Sequence, residues 1–360
     1  MSQRITPPAG QHLPLIDADK AIASQLIILH HLAFYGPMSD YVSPFAPELM
    51  DWLSQHARIA VQLFLVMGGF LAAQSLARNG RLVNRPFSQI VWQRYLKLAT
   101  PYVFTLLLAV VAAAFSRSLI AHDSIPEAPS LLQFFAHVFL LHGVLGFDGL
   151  SAGVWYVAID FQLYVLLLVV LRLTLRDGWK PHTAYIATLA LIVLSLYAFN
   201  RDSAWDNWAV YFFGAYGLGA MSYWGTQRNR VSGWFVATLV LTAIALLVDF
   251  RLRILVALLT AMTLGAARTT GLLETWPRSH LLAWLAKISY SVFLIHFPVC
   301  LMVNAIFERF VPHSPIPQAT GMLLAWLGSI ACGAALHNLL EQRATASTKM
   351  SSRTIATATP

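Results

Sequence analysis

The sequence is poor in charge and in cysteine, and each shortage limits what the chain can be. Only 11% of its 360 residues are Asp, Glu, Lys or Arg, and 58% are hydrophobic. A soluble globular domain carries about 25% charged residues, so this composition indicates a polytopic membrane protein with little length left for a soluble domain. The two cysteines, Cys300 and Cys332, lie in apolar segments and do not have the spacing of a metal or redox pair.

Several chemical signatures are absent as well. The chain has no Gly-rich phosphate loop after a strand, no Gly-x-Ser-x-Gly motif and no cluster of Cys and His. The spacing of His137 and His142 does not match a helical pair of metal ligands, so we predict no metal site. The net charge of +8 does not indicate nucleic-acid binding, because the basic residues fall in short loops where they orient the chain in a bilayer.

The hydrophobic pattern predicts an all-α integral membrane protein. It indicates a polytopic helical bundle of about ten transmembrane helices with both termini in the cytoplasm. The clearest cytoplasmic marker is the stretch 78–97, which has five cations and no acid. The predicted spans cover about 18–35, 59–77, 98–115, 154–171, 183–200, 207–224, 232–249, 252–268, 285–307 and 319–340.

Three further segments are assigned from length and charge. Residues 1–15 and 341–360 are predicted to be disordered cytoplasmic tails that flank a transmembrane domain at 16–340. The apolar segment 131–145 is short for a span, and a crossing there would move the basic loop after 171 to the outer side. We therefore expect an interfacial or re-entrant helix on the outer face.

The first span carries the most informative polar residues. Lys20 and His31 are separated by three helical turns plus about 20°, so they share one helix face, with a rise of roughly 16 Å between them. This spacing predicts Lys20 at the membrane surface and His31 near mid-bilayer, where ionisable groups usually mark function. His30 points about 100° away. The alternatives without a catalytic role are that His31 is a buried core histidine and that Lys20 forms a surface ion pair with Asp17.

Two other spans contain polar groups in apolar runs. Asp160 needs a cationic or donor partner, because an unpaired carboxylate inside a span is expensive. It could form a polar clamp between helices with Gln162, or orient a catalytic base. His296 lies next to Pro298 in a segment that also holds Tyr290, which fits either a kinked helix facing a cavity or a Pro kink with a buried histidine.

Taken together, these stretches resemble the acyltransferase-3 family of bacterial inner-membrane acyltransferases. The first span, Asp17-Ala-Asp-Lys20-Ala-Ile-Ala23 followed by His31, resembles the family's Asp-Gly-Leu-Arg-Ala-Ile-Ala with its essential histidine, and the spacing selects His31 over His30. The family's other motifs are resembled by the segments 63–70, 94–101, 155–164 and 289–298. The resemblance runs from about 15 to 340, with Lys20 in place of Arg, Gly68 in place of Ser and Asp160 in place of Glu.

The resemblance implies an O-acyltransferase that moves an acyl group, usually acetyl, from cytoplasmic acyl-CoA to a hydroxyl of a cell-envelope glycan. It implies His31 as the base, Asp160 as the group that holds its tautomer and His296 as a contact for the acceptor or the oxyanion. It implies that three cations bind the phosphates of the donor, acyl-CoA: Lys20, Arg94 and Lys97. It implies that three further side chains bind the substrate: Trp155, Gln162 and Tyr290.

The resemblance also implies a multi-pass protein of the bacterial inner membrane, with acyl-CoA, a sugar acceptor and the bilayer as partners and no permanently bound cofactor. The alternative is a proton-coupled transporter or flippase in which the buried His and Asp form a proton relay. Against that alternative, the sequence has no internal repeat of the kind many transporters show.

Overall fold

The computed structural model of the protein describes residues 13–175, 182–227 and 229–357. Within these ranges the chain is almost entirely helical, and a two-residue antiparallel pair, β1 (Thr226–Gln227) with β2 (Arg230–Val231), is its only sheet. The helices are α1 (Pro14–Phe34), α2 (Met38–Val42), α3 (Pro47–Gln55), α4 (Ala60–Leu76), α5 (Phe87–Leu119), α6 (Leu131–Val138), α7 (Val154–Thr174), α8 (His182–Tyr197), α9 (Ala209–Gly225), α10 (Gly233–Val248), α11 (Leu252–Thr270), α12 (His280–Phe310) and α13 (Pro315–Thr357).

The helical bundle confirms the predicted fold class in its coarse form. Each of the ten predicted spans overlaps one of the described helices. Seven helical segments in the described ranges are long and apolar enough to cross a membrane, and α10 is apolar but shorter. The count of ten spans and the cytoplasmic position of the termini stay predictions.

Some predicted boundaries differ from the observed ones. The third predicted span begins at 98, whereas α5 begins at Phe87, so Arg94 and Lys97 lie inside a helix rather than in the loop before it. Residues 1–12 of the predicted N-terminal tail lie outside the described residues. The predicted domain boundary at 340 falls within α13, whose backbone continues as a helix to Thr357.

The segment 131–145 forms the short helix α6 followed by turns. Ser130 caps this helix, its hydroxyl accepting from the backbone N–H of Gln133 at 3.1 Å. Eight residues rise only about 12 Å, which is too little to cross a bilayer. This agrees with the prediction that the segment does not span.

The tightest contact in the bundle joins α4 to α9 through small residues. A Cβ placed on Gly69 would overlap the carbonyl of Tyr216, and one placed on Gly219 would overlap the carbonyl of Val66. Backbones that approach this closely pack well without side chains between them, as membrane helices often do. Elsewhere α12 packs against α1, α5 and α13, so α12 lies at the centre of the other half of the bundle.

We predict that Gly219→Ala destabilises the protein, because overpacking a tight contact costs about 1–3 kcal/mol and the clash here is with backbone rather than with a flexible side chain. Thermal unfolding in detergent measures the effect. Gly233→Ala is the matched control, since a Cβ at that position meets nothing within 4 Å. Equal unfolding midpoints for the two variants would contradict the proposed close packing.

Candidate active site

Two histidines from distant parts of the chain meet in the bundle. Nδ1 of His31 on α1 lies 2.6 Å from Nε2 of His296 on α12. The two rings are parallel to within 6° and their centroids are 4.9 Å apart. A nitrogen–nitrogen distance much shorter than the centroid distance places the contact at the ring edges, in the plane of both rings. Both side chains are buried.

The backbone determines which nitrogens carry protons. Nδ1 of His296 lies 2.6 Å from the carbonyl oxygen of Phe293, and a carbonyl can only accept, so this nitrogen carries a hydrogen. In a neutral His296 the other nitrogen, Nε2, then accepts, and Nδ1 of His31 is its donor. The lone pair of His31 is therefore on Nε2, the nitrogen that can act as a base.

His296, rather than the expected Asp160, orients His31. The prediction assigned His296 to the acceptor or the oxyanion, but both of its ring nitrogens are occupied by Phe293 and His31. His30 faces a different neighbour, because its Nδ1 donates to the carbonyl of Leu53 at 3.0 Å. His31 is three residues from the end of α1, and its depth near mid-bilayer stays a prediction.

Asp160 has the cationic partner that its position required. It forms an ion pair with Arg94, which joins α7 to α5, and the guanidinium of Arg94 lies 4.8 Å from the ring centre of Tyr164. Tyr156 and Tyr216 are close enough to interact electrostatically with the carboxylate. The polar contact that links Asp160 to a neighbouring helix is therefore made with Arg94 and not, as one alternative expected, together with Gln162.

The three predicted substrate residues differ in their surroundings. The amide oxygen of Gln162 accepts from the backbone N–H of Ala209 at 3.1 Å, which fixes the start of α9. The hydroxyl of Tyr290 donates to the carbonyl of Leu98 at 3.0 Å. Trp155 lines two cavities and packs on Phe212, with ring centres 5.6 Å apart. Trp155 is therefore placed to meet a ligand in either of these cavities.

A large cavity, here called the His31 cavity, has a volume of about 1040 Å³. It lies at the end of the bundle where α1 ends and α7 begins, and both His31 and Trp155 line it. Its lining also includes Arg58 and His142, which were not predicted as site residues. Arg58 directly precedes the predicted span 59–77, and no feature of the sequence distinguished it from other loop cations.

A second cavity, here called the Arg94 cavity, is lined by Arg94, Lys97 and Tyr164 and has a volume of about 260 Å³. Trp155 and Tyr164 are nine residues apart on α7, which corresponds to about 14 Å along the helix. The pair of Asp160 and Arg94 lies between them. The two cavities are thus separated by one ion pair and the tyrosines around it.

The other predicted CoA-binding cations have mixed surroundings. Lys97 is exposed and lines the Arg94 cavity. Lys20 lies 3.9 Å from Asp17, as the ion-pair alternative expected, and it interacts electrostatically with Lys97. The ammonium of Lys20 is therefore near both the carboxylate of Asp17 and the ammonium of Lys97.

His142 is a buried residue whose nitrogens have no hydrogen-bond partner among the described residues. Its ring stacks on that of His137, with centroids 4.0 Å apart, while both nitrogens of His137 are bonded, one to the carbonyl of Gln133 and the other to the N–H of Leu150. Burial, reinforced by His137, lowers the pKa of His142 from its ordinary 6.5 to about 3. His142 is therefore neutral at physiological pH.

We predict that Asp160→Asn destabilises the protein by about 3 kcal/mol or more, because it leaves a buried arginine unpaired. The double variant Arg94→Gln/Asp160→Asn should recover a large part of that loss, since it removes the stranded charge. Thermal unfolding of the two single variants and the double variant forms a complete cycle. A double variant no more stable than Asp160→Asn would show that the pair is not the cause.

The lowered pKa of His142 predicts a pH dependence of stability. Its folded-state pKa of about 3 is below the unfolded value of 6.5, so the unfolded chain binds more protons between these values and stability falls as the pH falls. From pH 7 to pH 5 this residue should cost about 2 kcal/mol. Unfolding of His142→Leu should show a correspondingly smaller slope, while the exposed control His280→Gln should keep the slope of the wild type. Equal slopes for His142→Leu and wild type would contradict the prediction.

Comparison with known proteins identifies the family to which this arrangement belongs. The acyltransferase-3 family model, described as an acyltransferase domain, matches residues 14–336, nearly the whole chain. No curated protein and no solved structure matches the chain. The match includes both histidines of the buried pair, the ion pair of Asp160 with Arg94 and both cavities. The chain therefore belongs to the acyltransferase-3 family.

Proposed function

We propose that the protein is a membrane-bound O-acyltransferase that transfers an acetyl group from acetyl-CoA to a hydroxyl of a cell-envelope glycan. The observation that carries this proposal is the pair of contacts made by His296, which leaves the lone pair of His31 on Nε2. His31 also lines a large cavity. Acyl transfer to an alcohol needs a base that is unprotonated near pH 7, and imidazole is such a base.

The proposed reaction uses His31 as general base. Its Nε2 takes the proton of the acceptor hydroxyl as that oxygen attacks the thioester carbonyl. The tetrahedral intermediate collapses, the carbon–sulfur bond breaks, and the CoA thiolate takes this proton from the His31 imidazolium to leave as the thiol, which restores the base. His296 is a positioning residue, because its Nε2 accepts a hydrogen bond from Nδ1–H of His31 and so stabilises the imidazolium that forms.

The Arg94 cavity is the proposed entrance for the donor. Arg94 and Lys97 line it, and Arg85 adds a third cation at the same place. Clustered cations raise the local concentration of polyanions such as CoA, whose phosphates carry several negative charges. In the predicted orientation this cavity faces the cytoplasm of a bacterial cell and the His31 cavity faces outward.

A proton-coupled transporter is the weaker candidate. A relay would need a chain of hydrogen bonds between its titratable groups. In the described part of the chain His31 is bonded to His296, and Asp160 is paired with Arg94, so these are two separate pairs. Membership of an acyltransferase family likewise supports acyl transfer.

We expect His31→Ala to lower the rate of CoA release in the presence of a sugar acceptor by about 10²–10⁴-fold, the contribution of a general base. Purified protein, acetyl-CoA, a panel of sugars and a thiol reagent provide the assay. His30→Ala is the matched control and should retain most activity, because His30 bonds to the carbonyl of Leu53 in α3 and not to His296. Equal losses in the two variants would remove the argument for His31, and no transfer by the wild type to any sugar would overturn the proposed function.

A further inference from the structure

A third cavity lies beside the His31 cavity and contains two arginines. This Arg253 cavity has a volume of about 440 Å³. Four residues line both cavities, so the two are neighbours with a common wall; these are Gln55, Arg58, Trp155 and Asn207. A ligand whose hydroxyl reached His31 could thus extend past Trp155 into the Arg253 cavity.

The guanidinium of Arg253 is held in place without being neutralised. It donates to the hydroxyl of Tyr211 at 2.5 Å and to the carbonyl of Asn200 at 2.7 Å, and it lies 4.9 Å from the ring centre of Tyr211. Its Nε is buried and has no partner among the described residues. None of these contacts is with a carboxylate; the one acidic residue that lines the cavity, Asp206, forms no ion pair with Arg253 within 4 Å in the described part of the chain.

Arg58 adds a second cation to the same cavity. It is exposed, it lines both cavities, and its charge acts on His31. No carboxylate lies within ion-pair distance of Arg58 or Arg253 in the described part of the chain, although Arg201 and Arg251 nearby both contact Asp249, at 3.4 and 3.5 Å. The Arg253 cavity is therefore lined by two arginines and one carboxylate, that of Asp206, so its fixed charges have a net positive sum.

We propose that the Arg253 cavity is a subsite for a phosphate group of the acceptor, bound by Arg58 and Arg253. Arginine is suited to this task because its planar fork matches two phosphate oxygens at once. The subsite selects acceptors that carry a phosphate a short distance from the hydroxyl to be acylated. This inference rests on the proposed transferase function for the identity of the acceptor, but anion binding can be tested without it.

The kinetic test compares two acceptors that differ only in the phosphate. Purified full-length protein is given acetyl-CoA and either a sugar 1-phosphate or the methyl glycoside of the same sugar. Arg58→Gln and Arg253→Gln should each raise KM for the sugar phosphate at least tenfold, and change KM for the methyl glycoside and for acetyl-CoA less than twofold. Unchanged KM values for the sugar phosphate in both variants would overturn the proposal.

The control variant is Arg201→Gln, which removes a nearby cation that is already paired with Asp249. It should leave every KM unchanged, whereas a loss equal to that of Arg253→Gln would indicate a general effect of charge. Arg58→Gln keeps the test valid even if Arg253→Gln does not fold, since Arg58 is exposed and makes no hydrogen bond among the described residues.

A binding test separates failure of this subsite from failure of the transferase function. Inorganic phosphate should raise the unfolding temperature of the wild type above that in chloride of equal ionic strength, and should not do so in Arg253→Gln. No such difference would overturn the subsite, whatever the catalytic result.

Vesicles distinguish the source of the phosphate. If an anionic lipid headgroup occupies the subsite, phosphatidylglycerol added to phosphatidylcholine will inhibit transfer to the sugar phosphate by the wild type and not by Arg253→Gln. Equal rates in the two membranes would assign the subsite to the soluble part of the acceptor, and equal inhibition of wild type and variant would contradict a role for Arg253.

Discussion

A polar side chain inside this apolar bundle is costly unless it finds a partner within the bundle, because neither lipid nor a dry helix interface offers one. That constraint accounts for both central pairs of the described structure. His31 and His296 satisfy each other and a backbone carbonyl, and Asp160 and Arg94 neutralise each other between α5 and α7. Removing one member of either pair would leave the other without its partner, so the pairs hold the bundle together as well as shaping its chemistry.

The sequence predicted the elements and the need for partners, but it could not predict the partners themselves. Long apolar runs determine helices, and the spacing between Lys20 and His31 selected the histidine that does form the buried pair. The need of Asp160 for a cation followed from its position alone. Arg94 looked like an orientation signal, however, because the true start of α5 at Phe87 has no strong local marker. His296 is 265 positions from His31 along the chain, and no local pattern encodes a contact across that separation.

The cavities divide the proposed work along α7. At one end Trp155 borders both the His31 cavity and the Arg253 cavity, and about two and a half turns further Tyr164 borders the Arg94 cavity. Asp160 and Arg94 lie between. The acyl group of the proposed reaction would have to pass this charged pair, whereas the phosphates of the donor and the proposed phosphate of the acceptor would stay at opposite ends. The helix α7 thus contributes lining residues to all three cavities, in which we place the donor, the base and the acceptor.

The hydrogen bond from His296 to the carbonyl of Phe293 closes one side of the imidazole pair. A carbonyl oxygen cannot pass a proton onward, so a proton taken up by His31 can leave only through the cavity that His31 lines. The proposed base would then exchange protons through this cavity and not through His296. In a cell that keeps different acidities on its two sides, the charge state of His31 would follow the acidity of the side to which the cavity opens, and acidification of that side would protonate the proposed base.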